Sequence, residues 1–153
     1  MWFMPYRTNY RLRQDATARL LRQPAHWPIR TLAEDCEDGA SHNYGHRFGA
    51  MAQMMPREAF ELTHGMDPRF RGWGSEDSSF LRALDTLWGL HEVIGGKVVH
   101  LWHQRAGTTP EGRRWVGQAD ELGRVNRRLS QRYAEATGEL AAMRGLVDEA
   151  WAA

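Results

Sequence analysis

Two adjacent carboxylates follow a glycine-rich segment near the middle of the chain. The segment from Gly72 to Asp77 reads GWGSED. A carboxylate can take the proton from an attacking hydroxyl, and glycine allows the backbone to approach a substrate closely. A tryptophan ring can lie flat against a sugar. Taken alone, Ser75 and the two acids are equally typical of a helix N-cap with its first turn, so the segment gains chemical meaning only from its surroundings.

A pair of histidines, His100 and His103, follows a short apolar run further along the chain. Imidazole and carboxylate ligands together suit a divalent ion such as Mn²⁺. Residues three apart on a strand point to opposite faces, so both histidines can bind one ion only if the chain turns after Leu101. The alternative is that each is a hydrogen-bonded structural residue near a strand end.

The wider segment from His64 to Asp77 reads HGMDPRFRGWGSED. It resembles the Phe-x-Gly-Trp-Gly-x-Glu-Asp signature of β-1,4-galactosyltransferases and related GT-A glycosyltransferases, including bacterial and phage-encoded ones. That family places a metal-binding histidine after a strand further on, and VVHLWHQR, which ends at Arg105, occupies that place here. The resemblance is therefore to the C-terminal, acceptor- and metal-binding half of a GT-A enzyme.

The resemblance implies a role for each matching residue. Asp77 would be the base that accepts the proton of the acceptor hydroxyl. The acceptor and sugar would be bound by Trp73, Gly74, Glu76 and Arg71.

The resemblance also implies a metal cofactor, Mn²⁺ or Mg²⁺, with His103 as the first choice of ligand and His100 as a second, weaker one. In this interpretation His103 lies within side-chain reach of Asp77 or Glu76, across a cleft floored by Trp73. The ion would hold the departing diphosphate of a nucleotide sugar.

The donor-binding half of a GT-A enzyme has no counterpart in this sequence. That half ends in an Asp-x-Asp motif, whereas the acidic residues here, Glu34–Asp38, stand in a polar run. We therefore expect the C-terminal half of an enzyme that transfers a hexose from a nucleotide sugar to a hydroxyl of a saccharide or protein acceptor. Such a chain would be nearly inactive without a donor-binding protein partner. The alternative is a non-catalytic remnant that binds saccharide or protein through the same surface.

The elements that must position these residues are visible in the apolar periodicity. A helix is predicted over Ser75–Trp88, with Phe80, Leu84 and Leu87 inward. Ser75 is its predicted N-cap, and Gly89 is its predicted C-terminal glycine.

Short β-type runs suggest a small sheet. They comprise Ala50–Met54 and Lys97–Leu101, and the latter is predicted to form a hairpin with Glu92–Ile94 around Gly95 and Gly96.

The remaining helices are predicted near the two ends of the chain. One covers Asp15–Arg22, with Leu20 and Leu21 inward. The C-terminal stripe runs from Arg113 to Trp151, is broken at Gly138 and has Thr137 capping its second helix.

The predicted fold is α+β, mostly helical with a small sheet, like the C-terminal half of a GT-A fold with a helical tail. We expect one compact domain with an N-terminal extension and polar loop (1–48), the acceptor- and metal-binding segment (49–105) and C-terminal helices (106–153). The C-terminal stripe most simply packs on its own domain, and a partner interface is the alternative.

Bulk composition narrows the function classes. The 20 basic and 19 acidic residues are interspersed and give a net charge of +1, which argues against nucleic-acid binding. No apolar run reaches the length of a membrane span or a signal peptide. Cys36 stands alone, which together with the rest predicts a cytoplasmic protein.

Overall fold

The computed structural model describes residues 1–24, 29, 32–37, 42–43, 52–72, 74–104 and 121–152. The fold is α+β, as the sequence predicts, and about half of the described residues are helical. The chain forms two compact units. The first comprises Met1–Met4, Arg47–Glu92 and Arg105–Ala153, and the second comprises Pro5–His46 and Val93–Gln104.

The elements follow one another along the described ranges as short strands and five helices. The strands are β1 (Phe3–Met4), β2 (Thr8–Arg11), β3 (His42–Asn43), β4 (Glu92–Val93) and β5 (Lys97–His100). The helices are α1 (Gln14–Leu21), α2 (Arg57–Leu62), α3 (Glu76–Leu87), α4 (Glu121–Glu135) and α5 (Leu140–Trp151), with a 3₁₀ turn at Ala33–Asp35.

The core of the first unit lies between α3, α4 and α5. Its buried residues are Ala83, Leu129, Tyr133, Ala136, Met143, Leu146 and Val147, and Phe70 and Leu87 pack against them. The C-terminal stripe therefore packs on α3 of the same unit, as the simpler interpretation of the sequence holds. Leu122 and Val125, near the start of α4, are exceptions because they are exposed, and residues 113–120 of the predicted stripe lie outside the described residues.

Helix α3 confirms the periodicity of the sequence. Phe80 and Leu84 are buried and Leu87 is half-buried, as predicted. Gly89 ends the helix with a positive φ, and its N–H donates to the carbonyl of Leu84. Trp88 is exposed.

The C-terminal helices break at Gly138, which has a φ of 85°. Thr137 does not cap α5, contrary to the prediction. Its hydroxyl donates to the carbonyl of Tyr133 on α4, and Glu139 precedes α5 without a side-chain cap. Thr137 thus closes the end of the preceding helix, because its side chain reaches back one turn.

The second unit contains a three-stranded sheet in the order β3-β2-β5. Strands β2 and β5 are parallel, and Asn9 pairs with Val98 in their register. Leu12, Ala16 and Cys36 form a buried cluster beside the sheet, and Leu20 packs against it. The inward prediction is wrong for Leu21, which is 68% exposed, because α1 buries its Ala16 and Thr17 side instead.

The predicted hairpin around Gly95 and Gly96 does not form. Strand β5 is present as predicted but pairs with β2, while β4 pairs with β1. The carbonyl of Gly96 accepts hydrogen bonds from the N–H groups of Arg7 and Thr8, so this glycine joins the chain to the start of β2 rather than turning it back.

The predicted strand Ala50–Met54 lies partly outside the described residues. Ala50 and Met51 belong to that undescribed part. Within the described part, Met54 makes only an isolated antiparallel bridge with Phe3.

Gly96 permits a close backbone approach that no other residue type allows. A Cβ atom at this position would lie 2.4 Å from the carbonyl oxygen of Pro5. We therefore expect Gly96→Ala to lower the free energy of unfolding by about 1–3 kcal/mol, the usual cost of overpacking. Gly95→Ala is the matched control, since its Cβ would meet nothing within 4 Å. Equal stability of the two variants in urea denaturation would contradict this assignment.

Candidate acceptor site

The predicted sugar-binding turn has an unusual backbone. Gly72, Gly74 and Ser75 all have positive φ values, of 75°, 115° and 75°. Trp73 lies outside the described residues. Glycine adopts this region without a steric penalty, whereas the left-handed conformation of Ser75 costs about 1–2 kcal/mol. Neighbouring contacts must therefore hold this turn in place.

The two predicted acidic residues, Glu76 and Asp77, begin α3 and are both half-buried. Oε2 of Glu76 accepts a hydrogen bond of 3.0 Å from the N–H of Gly74. Oδ1 of Asp77 accepts one of 2.7 Å from the N–H of Ser78. Both carboxylates therefore lie against backbone donors at the positive end of the helix, which stabilises their negative charge.

Ser75 occupies the predicted N-cap position but makes no side-chain cap hydrogen bond. Its left-handed backbone is the physical reason, because a capping side chain needs an extended backbone at that position. Asp77 instead accepts from the N–H of Ser78 in the first turn, and the hydroxyl of Ser78 donates to the carbonyl of Ser75.

The loop that leads into the turn is held by a buried carboxylate, Asp67. Its side chain is 4% exposed and accepts hydrogen bonds from the backbone N–H and the guanidinium of Arg69. The hydroxyl of Tyr133 on α4 donates to its Oδ2 over 2.9 Å. Burial, and then the negative charge of Asp67, raise the pKa of Tyr133, which keeps this hydroxyl protonated and able to donate.

Arg69 extends this network to α5. Its guanidinium donates to the carbonyl of Leu146 over 2.9 Å and to Oε1 of Glu149 over 2.7 Å. Arg132 of α4 also pairs with Glu149 and is the main cause of the lowered pKa of that carboxyl. Arg69 thus links the loop to α5, and Glu149 in turn links α5 to Arg132 of α4.

A second polar contact reaches the loop just before the turn. Asn126 of α4 is 4% exposed, and the oxygen and the nitrogen of its side-chain amide both hydrogen-bond to the backbone of Arg71. Its Oδ1 accepts from the Arg71 N–H over 3.2 Å, and its Nδ2 donates to the Arg71 carbonyl over 2.9 Å. The Arg71 residue itself is exposed.

The predicted metal ligands, His100 and His103, do meet. Their Nε2 atoms lie 3.0 Å apart, because β5 ends at His100 and the chain leaves the strand there. Nδ1 of His103 is 3.0 Å from the carbonyl oxygen of Gln104. A carbonyl can only accept, so Nδ1 carries the proton and Nε2 of neutral His103 has its lone pair exposed for His100 or for a cation.

The acidic residues belong to the first unit and the histidines to the second. The expected common cleft of His103 with Asp77 or Glu76 remains a prediction. Among the described residues, no group of three or more His, Cys, Asp or Glu side chains is arranged to hold a metal ion.

Sequence reasoning missed Asn126, Tyr133 and Asp67 as residues that hold the site. Asp67 lies within the segment that carries the resemblance, and Tyr133 lies within the apolar stripe of the C-terminal helices. Asn126 lies one helical turn from both Leu122 and Leu129, so a polar residue interrupting the apolar face was the available signal.

The Tyr133 hydroxyl is expected to stabilise the loop through Asp67. Tyr133→Phe keeps the ring beside Phe70 but removes a donor to a buried carboxylate, and we expect unfolding to become easier by about 1–3 kcal/mol. Tyr10→Phe is the control, since none of the described residues hydrogen-bonds to the Tyr10 hydroxyl. Thermal denaturation compares the two, and a loss no larger in Tyr133→Phe than in Tyr10→Phe would contradict the role.

A protein-family model described as the N-terminal domain of galactosyltransferase matches residues 38–90. No curated protein and no solved structure matches the chain. No helix within the described ranges is long and apolar enough to span a bilayer. The matched residues include the whole turn and both acids at the start of α3. The match supports a glycosyltransferase-like family and, in general terms, a function related to glycosyl transfer.

Proposed function

We propose that the protein supplies the acceptor side of a glycosyltransferase, which moves a hexose from a nucleotide sugar to a hydroxyl of a saccharide or protein acceptor. One observation carries the proposal. The family match spans a positive-φ turn that leads directly into two half-buried carboxylates at the start of α3. The description of the family model names an N-terminal domain, so the assignment to a C-terminal half is part of the proposal.

Each residue of the turn has a chemical task in this proposal. Asp77 accepts the proton of the attacking hydroxyl, so that its oxygen can bond to the anomeric carbon as the nucleoside diphosphate leaves. Glu76 and the exposed Arg71 hydrogen-bond the other acceptor hydroxyls, and Trp73 forms an apolar wall beside the ring. The bond between Glu76 and the Gly74 N–H fixes the direction of that carboxylate.

The chemistry of the histidine pair fits a divalent cation. The two Nε2 atoms lie 3.0 Å apart and would both be available to one such ion. The bond from Nδ1 of His103 to a carbonyl oxygen is the usual support of a ligating imidazole. Nitrogen ligands favour Mn²⁺ over Mg²⁺, which prefers oxygen. When bound, such an ion would neutralise the charge of the departing diphosphate.

One observation favours the second candidate function, a non-catalytic remnant that binds saccharide or protein. The part of the chain that the structure describes contains no third ligand beside the two histidines. A transferase would then need a further carboxylate from a donor-binding partner. Saccharide binding at the turn is common to both candidates, whereas turnover belongs only to the first.

Turnover should depend on Asp77 and on a donor-binding half. With Mn²⁺ and a nucleotide hexose, the isolated chain should release little or no diphosphate, because its sequence has no Asp-x-Asp motif, with which a donor-binding half ends. Mixed with a strand–helix protein that ends in Asp-x-Asp, it should turn over, and Asp77→Asn should reduce the rate by about 10²–10⁴. Asn keeps the helix-start role but cannot take the proton.

The control for this experiment is Asp148→Asn, an exposed carboxylate on α5 that lies 3.9 Å from His64. It should leave the rate unchanged. Robust turnover by the isolated chain would refute the need for a partner. A full rate with Asp77→Asn would refute the base assignment.

The histidine pair should bind Mn²⁺ weakly, because two ligands leave most coordination positions to water. We expect His103→Ala or His100→Ala to lower the affinity by at least about tenfold, since removing a ligand costs no less than removing its support. Water-proton relaxation in a Mn²⁺ titration measures this without any activity. His64→Ala, an exposed imidazole on another segment, is the control. If His103→Ala and His100→Ala both bind Mn²⁺ as tightly as the parent protein, the histidine pair is not the Mn²⁺ site.

A further inference from the structure

We propose that Asn126 is a positioning residue for the acceptor turn and that helix α4 thereby determines how well this turn binds a saccharide. The inference rests on the proposed function for its ligand class. It assigns a role to a residue outside the segment that the family model matches, 38–90.

The contact itself is specific and buried. Asn126 is 4% exposed, and an amide buried without partners is costly. Its acceptor and its donor both go to one residue, the N–H and the carbonyl of Arg71. Because both backbone groups of Arg71 are held, neither its φ nor its ψ can change without breaking a hydrogen bond.

The turn after Arg71 needs an anchor of this kind. Gly72 and Gly74 have the widest conformational freedom of any residue type and lose the most on ordering. Ser75 is held in the left-handed region, which it leaves if the constraint is relaxed. Helix α3 fixes the C-terminal end of the turn, and Asn126 fixes its N-terminal end.

The other anchors of the loop act further from the acceptor residues. Tyr133 holds Asp67, and Arg69 reaches Leu146 and Glu149. Of these three side chains, Asn126 is the one that holds Arg71, a proposed acceptor-binding residue next to the turn. Loss of Tyr133 should therefore reduce stability, whereas loss of Asn126 should mainly displace the binding residues.

Two variants of Asn126 separate the halves of the clamp. Asn126→Leu is similar in size and removes both hydrogen bonds. Asn126→Asp keeps an acceptor for the Arg71 N–H but places an oxygen opposite the Arg71 carbonyl. Gln131→Leu is the control on the same helix, since its exposed amide donates to Glu135 one turn further on.

The experiment combines hydrogen exchange with saccharide binding on the full chain, at a temperature at which circular dichroism shows each variant folded. Galactose, glucose and N-acetylglucosamine are the probes, titrated calorimetrically. In Asn126→Leu we expect amide hydrogen exchange to become faster over 71–75 and to stay unchanged in α3 and α4. For any sugar that the parent protein binds, we expect a Kd about tenfold higher, which corresponds to the loss of roughly one hydrogen bond. Asn126→Asp should have at least as large an effect, because its carboxylate would be buried facing the Arg71 carbonyl, and Gln131→Leu should match the parent.

The outcomes are distinguishable. A folded Asn126→Leu with unchanged exchange over 71–75, or with an unchanged Kd, overturns the positioning role. If the parent protein binds none of the sugars, the saccharide-binding function fails. The role of Asn126 is then decided by hydrogen exchange alone. Faster exchange spread evenly over α3 and α4 in Asn126→Leu would show that Asn126 only stabilises the packing of these helices.

Discussion

The buried carboxylate of Asp67 is the constraint on which the rest of the first unit depends. A charge that is only 4% exposed must be compensated by hydrogen bonds, and here the donors come from Arg69 and from Tyr133 of α4. Removing these donors would leave a buried charge unpaired, so the stability of the loop is coupled to its contact with helix α4. Arg69 also donates a hydrogen bond to Glu149, which couples the loop to helix α5.

These contacts with α4 and α5 give the glycine-rich turn a rigid support that its own residues do not provide. The turn combines flexible glycines with a strained Ser75, yet it must present Glu76 and Asp77 in a fixed direction. Binding sites formed by loops work when a rigid scaffold holds both ends. Here α3 holds one end, and contacts from α4 and α5 hold the other. The C-terminal helices are therefore part of the candidate acceptor site in a structural sense.

The sequence predicted what depends on local pattern and missed what depends on distant partners. Helix α3 and the break at Gly138 followed from apolar spacing and a single glycine. The hairpin failed because a Gly-Gly pair is compatible both with a turn and with a close backbone approach, and only the position of Pro5 decides between them. The bonds of Asn126 to Arg71 join residues 55 positions apart, which no local signal specifies.

The central claim is that the turn ahead of α3 is a saccharide-binding surface, and chemical-shift mapping tests it most directly. The ¹⁵N-labelled chain is titrated with galactose, glucose and N-acetylglucosamine, and the amide shifts are followed residue by residue. The account predicts saturable shifts confined to residues 71–77. Shifts that saturate at another surface, or no shifts with any of these sugars, would contradict it.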